Sequence, residues 1–284
     1  MGGYVYTSAE EHRVRRVPRD IIRSRELLAD LVWKDLRVRY RYALMGFLWA
    51  VLEPLALTLV LTFVFTYVFG GKVDVFRADE VPPAVVILSG LVFWQFFAAA
   101  LTSATQSLVS SQNLVQKVRF TREVVPLAAV GYPLVNCGIG FLLLLAIQVG
   151  YFRVMPGWHA LWVAPLFLVQ LALTAGLALL LSAANVRFRD VSYIVGVVTV
   201  FGFYASPVFY RLSWVLESDF PSWARGVYLA NPMAELLAAY RQALLENQPP
   251  DPWLWGWPVI AAALALMAGL VVFRRSAPTF SDFA

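Results

Sequence analysis

An all-α integral membrane protein with six transmembrane helices is the fold class this sequence predicts. Three observations carry it. Six long apolar stretches recur, at about 46–70, 84–109, 127–150, 161–184, 192–210 and 253–273. Each has roughly the 17–25 residues a helix needs to cross about 30 Å of hydrocarbon. Hydrophobic residues make up 60% of the chain and charged ones 14%, against roughly 25% charged in soluble domains. Finally, basic residues alternate in density between the connecting segments. Lipid requires each crossing segment to satisfy its own backbone hydrogen bonds, which a helix does.

The chain divides at about residue 45, into a tail with one helix (1–45) and a six-span region (46–284). The first 20 residues read as a polar tail. From Ser24 the pattern turns helical, with Leu28, Val32, Leu36 and Tyr40 at i+4 spacing and Arg25, Lys34, Arg37 and Arg41 on other faces. This predicts an amphipathic, basic helix at the membrane interface. Packing on a soluble partner is the competing reading of the same stripe. The first 42 residues carry too many charges for the apolar core of a signal peptide, so the first span is expected to stay as an anchor.

Orientation comes from arginine and lysine. Ten precede the first span, three (Lys117, Arg119, Arg122) follow the second, two (Arg187, Arg189) follow the fourth and two (Arg274, Arg275) follow the sixth. The opposite side carries six. The positive-inside rule then places both termini in the cytosol. A basic stretch leading into a span meets anionic headgroups more readily than nucleic acid, so no nucleic-acid partner is expected.

Glu53 is the charged residue inside the first span, and Pro54 beside it frees a carbonyl one turn earlier, near Ala50. A carboxylate costs about 2.5–3.5 kcal/mol at mid-membrane and less near an edge. Two readings stand for Glu53: it faces a protein interface or a water-filled pathway, or it pairs with Arg39 or Arg41. The loop 110–126 is polar and basic, with Leu114, Val115, Val118 and Phe120 as an apolar edge. It fits a short surface helix or an ordinary connector. Residues 185–191 form a tight turn with Arg187, Arg189 and Asp190.

Residues 211–252 hold two short helical patterns before the last span. Asn231 can cap a helix with Pro232 at its first position, running to about Glu246. Re-entrant or surface-lying helices are expected here. Trp253, Trp255, Trp257, Trp158 and Trp162 sit where interface belts sit. Phe63 and Tyr67, i and i+4 in span one, and Phe201, Tyr204 and Tyr210 in span five are candidates to line a passage.

Several classes drop out. Cys137 is a lone cysteine, which excludes a disulfide framework and a thiolate metal cluster. No phosphate-loop pattern is present, so no cofactor is expected in this chain and any ATP must be bound elsewhere. A membrane glycosyl- or acyltransferase needs convergent carboxylates or histidines, yet the histidines, His12 and His159, fall on opposite sides.

Several strings, in this order and spacing, carry a resemblance. They are LVWKDLRVRYRYALMGFLWAVLEP, NLVQKVRFTREVVPLAAV, NVRFRDV, SPVFY at 206–210, NP at 231–232, YR at 240–241 and the tail FRRSAPTFSDFA. From about Arg25 to Phe283 the chain resembles the membrane subunits of ABC exporters of bacterial polysaccharides, a family that exports O-antigen, teichoic acid and some capsular polymers. Thr121 stands where that family often has proline, Phe188 where tyrosine is common, and Ser281-Asp282 where Ala-Asp is usual.

The resemblance implies a homodimer with two copies of a separate ATPase subunit that binds ATP and Mg. It also implies a polyprenyl-diphosphate-linked glycan as substrate and the bacterial cytoplasmic membrane as location. Under it, Phe63, Tyr67, Phe201, Tyr204, Tyr210 and Glu53 are expected along the pathway, and Arg37, Arg39 and Arg41 at the diphosphate or lipid headgroup. Lys117, Arg119, Arg122, Glu123, Arg187, Arg189 and Asp190 are expected to couple to the ATPase. A related exporter of a drug or simple lipid is the nearest alternative.

Overall fold

The computed structural model describes residues 24–41, 46–68, 81–112, 120–217 and 220–281. Regular structure among them is helical throughout. Helix α1 is Arg25–Tyr40 and α2 is Trp49–Phe63, the latter continued by a π-helical turn, Val64–Val68. Next come α3 (Pro83–Ser110), α4 (Val124–Ala129) and α5 (Gly131–Leu145), which a π-helical turn extends to Tyr151. Then follow α6 (Val163–Arg187), α7 (Val191–Tyr204), α8 (Leu212–Glu217), α9 (Ser222–Leu229), α10 (Pro232–Leu244) and α11 (Pro252–Ser276).

Five runs are long and apolar enough to cross a membrane: Gly46–Val68, Pro83–Ser110, Val124–Tyr151, Trp158–Arg187 and Pro252–Ser276. They coincide with the first four predicted spans and the sixth. The stretch predicted at 192–210 differs. Its helix, α7, has 14 residues, about 21 Å at 1.5 Å per residue. Pro207 explains the early stop. It lacks a backbone N–H and turns Ser206 away from helical geometry. The last helical bond runs from the Ala205 N–H to the Phe201 carbonyl at 2.9 Å.

Helix α3 is the axis of the molecule. Most of it is buried, and α2, α4, α5, α6, α7 and α10 all pack on it. Alanines at 98–100 and Ala104 give neighbours close approach, as small residues do between membrane helices. Helix α11 lies along the far side of α6. A Cβ added at Gly269 would sit 2.2 Å from the Gly176 carbonyl oxygen, so the two backbones touch there.

Helix α10 follows its sequence signals. The Asn231 side chain accepts from the Met233 N–H at 3.0 Å, and Pro232 takes the first position. It is a buried helix held on several sides. The Tyr240 hydroxyl donates to Gln170 Oε1 at 2.8 Å, and Gln148 Nε2 donates to the Leu244 carbonyl at 3.0 Å. The Tyr240 ring stacks on Phe93 with centroids 3.7 Å apart. Helix α9 is its opposite, with Trp223 and Val227 exposed.

Helix α1 puts its predicted stripe partly on protein. Leu27, Leu28, Leu31 and Val32 meet Val124 and Ala128 of α4. The Tyr40 hydroxyl donates to Asn136 Oδ1 at 2.7 Å. Trp33 and Val38 remain exposed on the other side.

Candidate functional site

The break after α7 is built around Arg241. This side chain comes from the buried α10 and donates to the carbonyls of Val208 (2.6 Å), Tyr210 and Val86 (3.2 Å). Buried backbone that leaves helical geometry requires such internal partners. Gly90 makes the room: a Cβ there would lie 2.1 Å from the Val208 carbonyl oxygen and 2.7 Å from the guanidinium. Burial pulls the Arg241 pKa down to about 10, which leaves it charged at neutral pH. Asn231 adds a second tie, donating through Nδ2 to Ser206 Oγ at 2.8 Å.

This arrangement leaves α2 and α7 flanking α3 with two clefts between them. The inner cleft, about 450 Å³, is lined by Glu53 and Leu57 of α2, Trp94 and Gln95 of α3, Tyr132 and Asn136 of α5, and Thr199, Phe203 and Tyr204 of α7. Arg39 of α1 also lines it, and its guanidinium lies 4.5 Å over the Tyr132 ring. Gly202 lets α7 approach Trp94, since a Cβ there would meet the indole at 2.8 Å. Glu53 and Arg39 thus share one cleft, yet Glu53 makes no ion pair among the described residues.

The outer cleft, about 440 Å³, is almost wholly aromatic. Phe65, Tyr204, Phe209, Tyr210, Trp214, Phe220 and Tyr228 line it. Phe65 of span one stacks on Phe209 with centroids 5.2 Å apart. The Tyr228 hydroxyl donates to the Tyr210 hydroxyl at 3.2 Å, and burial pushes the Tyr228 phenol above its ordinary pKa. Tyr204 lines both clefts, so they adjoin at this residue.

The predicted pathway residues separate accordingly. Glu53 and Tyr204 lie in the clefts. Tyr210 is 7% exposed, with its hydroxyl donating to the Tyr204 carbonyl at 3.2 Å, so it braces the wall. Phe63 and Tyr67 touch each other, centroids 5.6 Å apart, and with Phe201 stay exposed outside both clefts. The ring that span one brings to span five is Phe65. The arginine trio also splits. Arg39 reaches the inner cleft, whereas Arg37 and Arg41 line a separate recess on α1 with Trp33 and Lys34.

The loop residues sort in the same manner. Lys117 and Arg119 lie outside the described residues. Arg122 donates to the Ala277 carbonyl, and Glu123 accepts from Arg274 at 3.3 Å, which ties this loop to the end of α11. Phe120, Val125, Phe273 and Phe280 pack beneath the tie. Arg187, Arg189 and Asp190 are exposed, on a turn closed by the Ser192 N–H donating to Asn185 Oδ1 at 3.1 Å.

Sequence reasoning passed over Gln95, Tyr132, Asn136 and Trp214. No local pattern marks them, because three separate helices, α3, α5 and α8, bring them to the clefts.

Known proteins match this chain along most of its length. The ABC-2 type transporter family model covers residues 26–245. An O-antigen export system permease protein RfbA of Myxococcus xanthus is 32% identical over 94% of this chain and 98% of its own. Two proteins of the same name from Klebsiella pneumoniae are 26% and 27% identical, over 90% and 78% of this chain and 94% and 81% of theirs. With helices of membrane-crossing length and a matched stretch that runs from α1 through α10, the chain belongs to the ABC-2 type transporter family of multi-pass membrane proteins.

Proposed function

We propose that this chain is the membrane subunit of an ATP-driven exporter that moves a polyprenyl-diphosphate-linked, O-antigen-like polysaccharide across the bacterial cytoplasmic membrane. The observation that carries the reading is the pair of clefts joined at Tyr204, polar and charged at one end and aromatic at the other. A sugar has polar edges and apolar ring faces. Aromatic walls hold those faces without fixing one register, which suits a sliding polymer. Arg39 stands where a diphosphate would enter. The names of the relatives support the substrate class.

The rest follows the same reading. Helix α7, with the broken segment to Tyr210, makes a sixth crossing, both termini are cytosolic, and α1 lies at the inner interface with Trp33 and Val38 in lipid. Two copies of the chain join two ATPase subunits that bind ATP and Mg. The turn at Arg187–Asp190 is the exposed element through which those subunits act. Arg122 and Glu123 support it by fixing the neighbouring loop.

A photo-crosslinking side chain in place of Tyr204 tests the pathway. It is expected to capture a polyprenyl-diphosphate-linked glycan, whereas the same group at the exposed Leu142 on α5 is not. Equal capture at both positions, or none at 204, would overturn the pathway.

A further inference from the structure

The polar groups of the inner cleft differ in whether the fold already uses them. The Tyr132 hydroxyl accepts from Ser103 at 2.7 Å, and Asn136 Oδ1 accepts from Tyr40 at 2.7 Å. The Thr199 hydroxyl donates back to the Val195 carbonyl at 2.8 Å. Gln95 is different. It sits in the middle of α3, lines the cleft, and its Nε2 is buried with no hydrogen-bond partner among the described residues. An unpaired buried amide costs about 1–3 kcal/mol. The fold carries that cost with no hydrogen bond to Nε2 in return among the described residues. Glu53, on α2 of the same cleft, is exposed and without an ion pair among the described residues.

We infer that Gln95 reads the sugar: with Glu53 it offers a donor–acceptor pair to the hydroxyls of one sugar ring, whose apolar face rests on Phe203 or Tyr204. The chemistry of the two groups fits that ligand. An ionised carboxylate only accepts, a carboxamide both donates and accepts, and a sugar hydroxyl does both at once. Rotation about the last side-chain bond turns the amide N–H groups from the protein toward the cleft when a hydroxyl arrives. The cleft volume, about 450 Å³, lies within the range of about 300–1,000 Å³ typical of small-ligand sites. A site built to bond a hydroxyl discriminates strongly against a ligand that lacks it, because its own polar groups are then left unpaired. The inference rests on the lipid-linked glycan reading above and assigns the sugar subsite within it.

The test compares two probes on the full-length chain purified with its ATPase: polyprenyl diphosphate bearing one hexose, and bare polyprenyl diphosphate. The wild type is expected to bind the hexosyl probe about tenfold more tightly, the equivalent of one net hydrogen bond. In Gln95→Leu that ratio falls to about one, and Gln95→Met, unbranched and equally apolar, repeats the result if the leucine variant is poorly folded. Because the amide nitrogen has no protein partner, both variants are expected to melt at or above the wild-type temperature. A tenfold ratio that survives in the variants overturns the role of Gln95 and leaves the glycan reading standing. A wild-type ratio near one overturns the sugar subsite. A wild type that binds neither probe contradicts the lipid-linked substrate itself, and the subsite with it.

Discussion

Arg241 shows how much one buried side chain can hold in place. It sits on α10, outside the long apolar runs, and nothing in its neighbourhood of sequence marks it as buried. The structure makes it the partner of three carbonyls from two other segments. Arg241→Met should therefore destabilise the protein by at least about 3 kcal/mol, since hydrogen bonds to a charged group contribute about 1.5–3 kcal/mol each. A thermal melt in detergent measures this. Gly90→Ala should destabilise through the same contact, by pushing α3 off the Val208 carbonyl. Glu235 makes a pH prediction. Burial pushes its carboxyl up to about 7 from 4.5, and Oε2 is unpaired among the described residues. A folded-state pKa above the unfolded value means that stability is fully present below about pH 4.5 and lost as pH rises through about 7. Glu235→Gln should thus melt higher than wild type at pH 8 and equal to it at pH 4. An equal gain at both pH values would mean that ionisation is not the cause.

Elements formed by local pattern are legible in the sequence. The Asn231–Pro232 start of α10 follows from capping chemistry and the long helices from run length, both read within a few residues. What depended on distant partners was not legible. Pro207 marks the end of α7, but what holds the segment beyond it is distant: Arg241, 31 to 33 residues on, receives the carbonyls of Tyr210 and Val208. The split of Arg39 from Arg37 and Arg41 needs Tyr132 of α5 beneath one of them. The two basic loops look alike in composition, yet among the described residues Arg122 and Glu123 of the first are tied to the end of α11, whereas Arg187, Arg189 and Asp190 of the second are exposed. This contrast is testable. Reversing Arg187 and Arg189 to glutamate should reduce ATPase assembly or stimulation and leave the melting temperature unchanged. Glu123→Gln should do the reverse, lowering stability by up to about 1 kcal/mol through the lost Arg274 pair, since the pair is partly exposed, and lowering the melting temperature with it. If both changes act only on the melting temperature, the 187–190 turn is not the coupling element.

At the scale of the whole molecule, burial is lopsided. Helix α3 is enclosed, while α2 with its π-helical turn and α7, which also line the clefts, leave Phe63, Tyr67, Val197 and Phe201 exposed. A second copy docked there would enclose the clefts into one passage. A cysteine in place of Phe201, in a Cys137→Ser background, is expected to cross-link two copies, whereas one in place of Leu142 on α5 is not. Reconstitution shows whether this chain carries a lipid-linked glycan across the membrane. The chain and its ATPase are placed in proteoliposomes with a labelled polyprenyl-diphosphate-linked glycan, and label reaching the opposite face is measured. Movement is expected to require ATP and this chain, and to fall at least about tenfold in Tyr204→Ala, the equivalent of one lost aromatic contact. Movement that proceeds without ATP, or that is the same in Tyr204→Ala, would contradict the glycan-export reading.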